Sequence, residues 1–160
     1  MIKVGDKLPS VGLREVKEGG VEEVTTDAFF KGKKVALFAV PGAFTSTCSV
    51  KHLPSFVNNA EALKKKGIDA VVCTAVNDAA VLRAWGEQAN SSGKVTMLAD
   101  GNAEFSRALG LEFDGSGFGM GIRSQRYSAL VEDGVVKKLH VEAPGKFEVS
   151  KAEVILDDLK

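Results

Sequence analysis

Two long apolar runs constrain the fold of this chain more than any other feature. Residues 34–40 and 68–76 are mostly apolar and rich in valine and alanine. Runs of this length and composition are typical of strands that are buried on both faces of a sheet. A shorter run, 95–99, has the same character. The chain is therefore predicted to build a central sheet that helices cover on both faces.

Amphipathic segments separate these runs. A long helix is predicted from Ser46 or Thr47 until Gly67, because apolar residues recur at spacings of three and four. These apolar positions are Val50, Leu53, Phe56, Val57, Ala60 and Leu63. Three further helices are predicted over 78–88, over 102–109 and, with Ser150 as the cap, up to Leu159.

Paired turn residues indicate two hairpins. Gly19-Gly20 lies between two alternating segments near the N-terminus, and Asp133-Gly134 lies between 126–132 and 135–141. A glycine-rich loop is predicted over 115–121. The element order predicts an α/β, thioredoxin-like fold: a mixed central sheet with helices on both faces and an N-terminal β-hairpin. The pattern alone leaves the strand order open.

Composition narrows the class of protein. The length of 160 residues fits a single domain over 1–160, and the 21 basic residues balance the 21 acidic ones, which argues against a nucleic-acid partner. We expect no secretory signal and no membrane span, because no apolar run has the required length. Two cysteines make no disulfide framework and favour a reducing, cytoplasmic location.

Cys48 is the residue with the clearest chemical potential. It follows the first buried strand and falls in the first turn of the long helix, where unpaired N–H groups and the helix dipole favour a nucleophilic thiolate. Thr45 can turn its hydroxyl towards the same place, and Pro41 can shield the sulfur from water. These features predict a reactive thiol. The alternative is a buried Cys48 that only fills space, with Thr45 as a helix cap.

The segment around Cys48 resembles the active-site motif of the peroxiredoxins. Pro41, Thr45 and Cys48 meet the family's pattern of proline, three residues, threonine, two residues and cysteine, and the match is closest to the peroxiredoxin 5 or type II subfamily. The likeness covers nearly the whole chain through further segments: His52-Leu53-Pro54, Val76-Asn77-Asp78, the helix of Trp85, Arg126-Tyr127-Ser128 and 131–134. By this resemblance the active-site arginine is Arg126 rather than the nearby Arg123.

The resemblance implies a thiol peroxidase that acts on hydrogen peroxide and small organic hydroperoxides in antioxidant defence and redox homeostasis. Cys48 would attack the peroxide and become a sulfenic acid, while Thr45 and Arg126 orient the substrate and stabilise the developing charge. Glutathione with glutaredoxin, or thioredoxin, would then reduce the sulfenic acid. The family also implies a homodimer that pairs through the active-site edge.

Two positions qualify the resemblance. Ser46 stands where the subfamily usually has proline, so the first helical turn loses a rigid residue, although serine still suits a helix start. Plant-like members have a second, resolving cysteine at the spacing of Cys73. Here that cysteine lies inside a predicted strand, and a disulfide needs Cα atoms within about 7 Å. We favour an inert Cys73 and an external thiol over an internal disulfide, which would require the helix start to unwind.

The remaining candidates belong to the expected substrate pocket. His52 lies four residues after Cys48 on the same helix face. It could tune the site electrostatically, but a place at the pocket edge or as a partner for a nearby carboxylate is favoured. Phe118 and Met120 are expected to form an apolar wall, unless the glycine-rich loop is a plain solvent loop, and Phe44 is expected to add apolar surface at the pocket. No metal site and no cofactor is predicted, because the two histidines are distant in sequence and the thiols are not paired.

Two other classes of function compete with the peroxidase. A thioredoxin-like dithiol reductase is disfavoured because the chain has no C-x-x-C pair. A non-catalytic interaction module or holdase is disfavoured because the set of Pro41, Thr45, Cys48 and Arg126 is complete.

Overall fold

The structure is a computed structural model that describes residues 1–160. The strands are β1 (Gly12–Lys17), β2 (Gly20–Thr25), β3 (Lys34–Val40), β4 (Ala70–Ala75), β5 (Thr96–Ala99), β6 (Glu112–Asp114), β7 (Ile122–Ser124), β8 (Tyr127–Glu132) and β9 (Val135–Val141). The helices are α1 (Thr26–Phe30), α2 (Leu53–Lys65), α3 (Ala79–Gln88), α4 (Glu104–Leu109) and α5 (Ala152–Asp158). None of these helices combines the length and the apolar composition that crossing a membrane requires.

Seven strands form one mixed sheet in the order β2-β1-β5-β4-β3-β8-β9. The three apolar strands β3, β4 and β5 lie parallel at its centre. The hairpin strand β1 pairs antiparallel with β5, and β8 pairs antiparallel with β3. The predicted fold is confirmed, including the N-terminal hairpin and the Asp133-Gly134 hairpin between β8 and β9.

The sheet separates two apolar clusters. On one face α2, α3 and α5 contribute side chains such as Phe56, Trp85 and Ile155, and both cysteines belong to this cluster. On the other face, Phe30 from α1 and Phe105 from α4 pack against the same strands. Burying each such side chain stabilises the fold by about 1.5–3 kcal/mol, so the sheet is held rigidly from both sides.

The start of the long helix departs from regular α geometry. Helical backbone begins at Ser46, but 48–52 forms a π-turn in which the Leu53 N–H donates to the Cys48 carbonyl, five residues earlier. A π-turn holds one residue more than an α-turn. The prediction that Val50 faces the core is therefore wrong: the wider turn carries it outward, and its side chain is 71% exposed.

Two other sequence predictions need correction. Ser150 does not cap the last helix: its hydroxyl donates to the Glu142 carboxylate, and α5 begins two residues later at Ala152. The small sheet of β6 and β7 on either side of the glycine-rich loop was not predicted. Strands of three residues carry too little alternation to be recognised from sequence.

Candidate active site

The topology brings Cys48 and Arg126 together. Cys48 opens the π-turn just after β3, and Arg126 immediately precedes β8, the antiparallel neighbour of β3. The Arg126 Nη2 donates to the Cys48 Sγ at 3.1 Å. A guanidinium at this distance, together with the free N–H groups of a helix start, favours a negatively charged sulfur. Cys48 is 0% exposed, whereas Arg126 is half-buried.

Arg123 occupies a different position. Its Nε donates to the Met120 carbonyl at 2.9 Å, and its Nη1 donates to the Val76 carbonyl at 3.4 Å. The geometry therefore gives the sulfur contact to Arg126 and leaves Arg123 as a support for the neighbouring loops.

The loop before the helix is tightly held. The Thr45 hydroxyl donates to the Gly42 carbonyl at 2.7 Å, and the Ser49 N–H donates to the Thr45 carbonyl at 2.9 Å. A Cβ on Gly42 would lie 3.1 Å from the Arg123 Nη1 and 3.3 Å from the Thr45 Cγ2, so only glycine fits there without displacing them. Because a hydroxyl oxygen has two lone pairs, Thr45 can still accept a hydrogen bond from a bound peroxide.

Phe44 adds backbone strain to this loop. Its φ of +65° lies in the left-handed region, which is unfavourable for a residue with a bulky side chain. The Phe44 ring is 49% exposed. The loop thus places a strained, half-exposed aromatic residue directly before Thr45.

His52 is a buried support for Arg126. The Arg126 Nη1 donates to the His52 Nδ1 at 2.9 Å, which leaves the proton on Nε2, and this group donates to the Ser150 carbonyl at 3.0 Å. Burial and the positive charge of Arg126 lower the pKa of His52 to about 3, so the ring is neutral. Phe38 and Phe147 lie beside the ring.

The predicted place of His52 at the pocket edge is therefore wrong. Its side chain has no exposed surface. The spacing of four residues from Cys48 identified the correct helix face but could not give the depth of the side chain.

The other predicted pocket residues lie at different depths. Pro41 is half-buried where β3 ends. Met120 lies against the loop before Cys48, since its Cε is 3.5 Å from the position that a Cβ would take on Gly42. The Phe118 side chain is 78% exposed, and its nearest aromatic neighbour is Phe113 at 6.4 Å between ring centroids. Phe118 thus faces solvent, and its role in a pocket wall stays a prediction.

Cys73 lies in the middle of the sheet. Its register partners are Phe38 on β3 and Met97 on β5. Burial, with a smaller contribution from Cys48, raises the pKa of the Cys73 thiol well above its usual value. Both cysteines are free. Cys73 is consequently a neutral thiol in a continuous hydrogen-bonded ladder.

Three features of the site were not predicted. The Trp85 Nε1 donates to the Ser49 Oγ at 2.9 Å, next to Cys48. The loop 142–150 contacts the site through Ser150, and Glu142 organises that loop. No periodicity or spacing could have revealed contacts between segments so far apart in sequence. No group of three or more metal-ligating side chains is arranged to hold a metal ion.

Comparisons with known proteins identify the family of this chain. The Redoxin family matches residues 3–156. Peroxiredoxin-2E-2, chloroplastic, of Oryza sativa subsp. japonica is 49% identical over 99% of this chain and 72% of its own length.

The solved structures that this chain resembles are also peroxiredoxins. Reduced Prx3 from Vibrio vulnificus, in complex with hydrogen peroxide, is 51% identical with a TM-score of 0.96 over 100% of both chains. Peroxiredoxin 5 from Alvinella pompejana is 33% identical with a TM-score of 0.88, over 99% of this chain and 98% of its own. The family match and these relatives show that the chain belongs to the peroxiredoxins, which are thiol peroxidases, and that it resembles their peroxiredoxin 5 or type II members.

Proposed function

We propose that this peroxiredoxin reduces hydrogen peroxide and small organic hydroperoxides with Cys48, and that glutathione with glutaredoxin recycles it. The observation that carries the proposal is the 3.1 Å contact from the Arg126 guanidinium to the Cys48 sulfur. A thiolate held in this way is a nucleophile without an attached proton to lose.

The oxidative step follows from these groups. The Cys48 thiolate attacks the nearer peroxide oxygen, an S–O bond forms and the O–O bond breaks. The departing oxygen takes a proton and leaves as water or an alcohol, and the sulfur becomes a sulfenic acid. Arg126 is placed to stabilise the charge that develops on the oxygens, and Thr45 to orient the peroxide.

The reductive step in this proposal uses external thiols. One glutathione attacks the sulfenic sulfur, releases water and forms a mixed disulfide. The glutaredoxin thiolate then attacks the glutathione sulfur of this disulfide, takes over the glutathionyl group and releases the Cys48 thiolate. A second glutathione removes that group from glutaredoxin as glutathione disulfide. The buried position and raised pKa of Cys73 in the β4 ladder support an external rather than an internal thiol.

Intact mass after one equivalent of peroxide tests the recycling route. An external route predicts a gain of one oxygen, followed by a glutathione adduct when glutathione is added. An internal disulfide would instead lose two hydrogens. Turnover with glutathione and glutaredoxin, compared with turnover with thioredoxin and its reductase, identifies the preferred reductant. Faster turnover with thioredoxin would contradict the proposed choice.

We also propose a homodimer in a reducing, cytoplasmic location. The exposed Phe44 and Phe118 offer apolar surface near the site, which supports pairing at this edge. Sedimentation at micromolar concentration should show a dimer that Phe118→Ser weakens, with the equally exposed Val50→Ser as a comparison. A single monomeric species for the unmodified protein would remove the dimer. Cell fractionation tests the location.

A further inference from the structure

Glu142 organises the loop between β9 and α5. Its Oε2 accepts hydrogen bonds from the N–H groups of Glu148, Val149 and Ser150 at 2.8, 2.9 and 2.8 Å, and from the Ser150 hydroxyl at 2.6 Å. Burial opposes the ionisation of Glu142, but these hydrogen bonds outweigh it and lower the pKa of the carboxyl. The residue is only 7% exposed, so its carboxylate interacts mainly with the groups of this loop rather than with solvent.

The loop that Glu142 shapes ends at the active site. The Ser150 carbonyl accepts the Nε2–H of His52, and the His52 Nδ1 accepts the Nη1–H of Arg126. The ring of contacts closes on itself, because the Glu142 N–H donates to the Arg126 carbonyl at 3.0 Å. Glu142 is therefore bonded directly to the Arg126 backbone and is connected to the Arg126 guanidinium through Ser150 and His52.

These contacts restrict the conformation of the flexible Arg126 side chain. The side chain has several rotatable bonds, and only its Nη2 contacts the Cys48 sulfur. The Nη1 contact with His52 fixes the second half of the guanidinium, and the Ser150 carbonyl fixes which nitrogen of His52 carries the proton. The direction of that carbonyl depends on the turn over 148–150 that Glu142 holds.

We propose that Glu142 is a positioning residue for peroxide reduction, which holds Arg126 on Cys48 through the Ser150 carbonyl and His52. The inference rests on the proposed role of Cys48 as the attacking sulfur. It assigns a function to a residue that lies outside the active-site motif and touches neither the sulfur nor the peroxide.

The test measures the second-order rate of Cys48 oxidation by hydrogen peroxide in stopped flow. Glu142→Ala should slow this rate by roughly threefold to tenfold, the size expected when a supporting partner of a charged hydrogen bond is lost. Glu142→Gln keeps an acceptor oxygen of the same reach and should restore most of the rate. Circular dichroism at the assay temperature confirms that each variant is folded.

Asp100 supplies a matched control. It is also a buried carboxylate that holds a turn, since it accepts from the Phe105 N–H, the Ser106 N–H and the Ser106 hydroxyl at 3.0, 2.9 and 2.8 Å. It lies on the opposite face of the sheet from Cys48, with no bond to the ring of contacts. Asp100→Ala should lower stability and leave the oxidation rate of folded protein unchanged.

A double-mutant cycle identifies the route of the effect. His52→Asn can still accept from Arg126 but no longer reaches the Ser150 carbonyl, so Glu142→Ala should add no further slowing in that background. The proposal is overturned by a wild-type rate in Glu142→Ala, by a Gln variant as slow as the Ala variant, or by undiminished slowing in the His52→Asn background. Peroxide consumption by Cys48→Ser would instead refute the proposed function itself, so the two failures are distinguishable.

Discussion

Cys48 and Cys73 belong to the same apolar cluster, and neither side chain has exposed surface. They differ in the backbone that carries them and in the charge beside them. Cys73 lies in a strand whose N–H and C=O groups are bonded to neighbours on both sides, whereas Cys48 opens a helix next to a guanidinium. Burial is the main reason why the pKa of the Cys73 thiol is raised.

The proposed function gives this contrast a physical reason, because a buried thiol becomes a nucleophile when its surroundings stabilise the negative charge. At Cys48 the donors are Arg126 and the helix start, and a second layer of His52 and Ser150 holds the arginine. Cys73 has apolar register partners. The following variants test this contrast.

Cys48→Ser should abolish peroxide consumption, because serine is a far weaker nucleophile at the same position. The fold should persist, since the side chains are nearly equal in size. Peroxide consumption with excess glutathione and glutaredoxin measures the effect. Appreciable turnover by this variant would mean that Cys73 or another group carries the reaction.

Arg126→Met should slow Cys48 oxidation by about a hundredfold or more, as expected for the loss of a donor to developing negative charge. Arg123→Met is the matched control, because Arg123 donates its hydrogen bonds to the Met120 and Val76 carbonyls and not to the Cys48 sulfur, and it should react much closer to the wild-type rate. Stopped-flow oxidation rates decide between them. Equal slowing by both substitutions would contradict the special role of Arg126.

Acid should lower the unfolding free energy of the protein, because protonation of His52 is incompatible with its buried position beside Arg126. Its folded pKa of about 3 lies below the ordinary value of 6.5, so only the unfolded chain binds this proton between those values. The contribution of His52 to the unfolding free energy should fall by about 1.4 kcal/mol for each pH unit between pH 6.5 and about pH 3. Denaturant unfolding at pH 7 and pH 5 measures this loss, which His52→Asn should remove. An unchanged pH dependence in the variant would contradict a neutral, buried His52.

Thr45→Val should slow Cys48 oxidation by about tenfold, because the variant keeps the shape of the side chain but loses the oxygen that we propose orients the peroxide. The same change also removes the 2.7 Å hydrogen bond to the Gly42 carbonyl. Thr45→Ser keeps the hydroxyl, and with it both of these interactions, and should retain most of the rate. A serine variant as slow as the valine variant would contradict a role for the Thr45 hydroxyl that is independent of its methyl group.

Cys73→Ser should have the smallest effect on catalysis. We expect it to retain most of its turnover with glutathione and glutaredoxin, because a thiol in the β4 ladder is not needed for recycling. Cys73→Ala guards against a loss of stability from burying a hydroxyl. If oxidised wild type loses two hydrogens and Cys73→Ser does not, the helix start unwinds and Cys73 is a resolving cysteine.

The fold was largely predictable because apolar runs such as 34–40 dominate strand formation, and the structure has β3 at those residues. The choice of Arg126 over Arg123 came from family resemblance, since both are plausible by position. The burial of His52 was not predictable, because helical spacing gives a direction but no depth. The contacts of Glu142 and Ser150 with the site depend on the path of a loop, which local sequence does not encode.

The π-turn at 48–52 has a consequence for the length of the chain. The turn is equivalent to a single-residue insertion in an α-helix. Val50 can be regarded as the inserted residue, because its side chain faces solvent. Deleting Val50 should convert the turn to an ordinary helix and keep Cys48 and His52 on one face. The same deletion within α2 would rotate every preceding buried side chain by about 100°. Evolution can therefore shorten this helix by one residue at its reactive end, whereas a single deletion elsewhere in the helix would misplace the core.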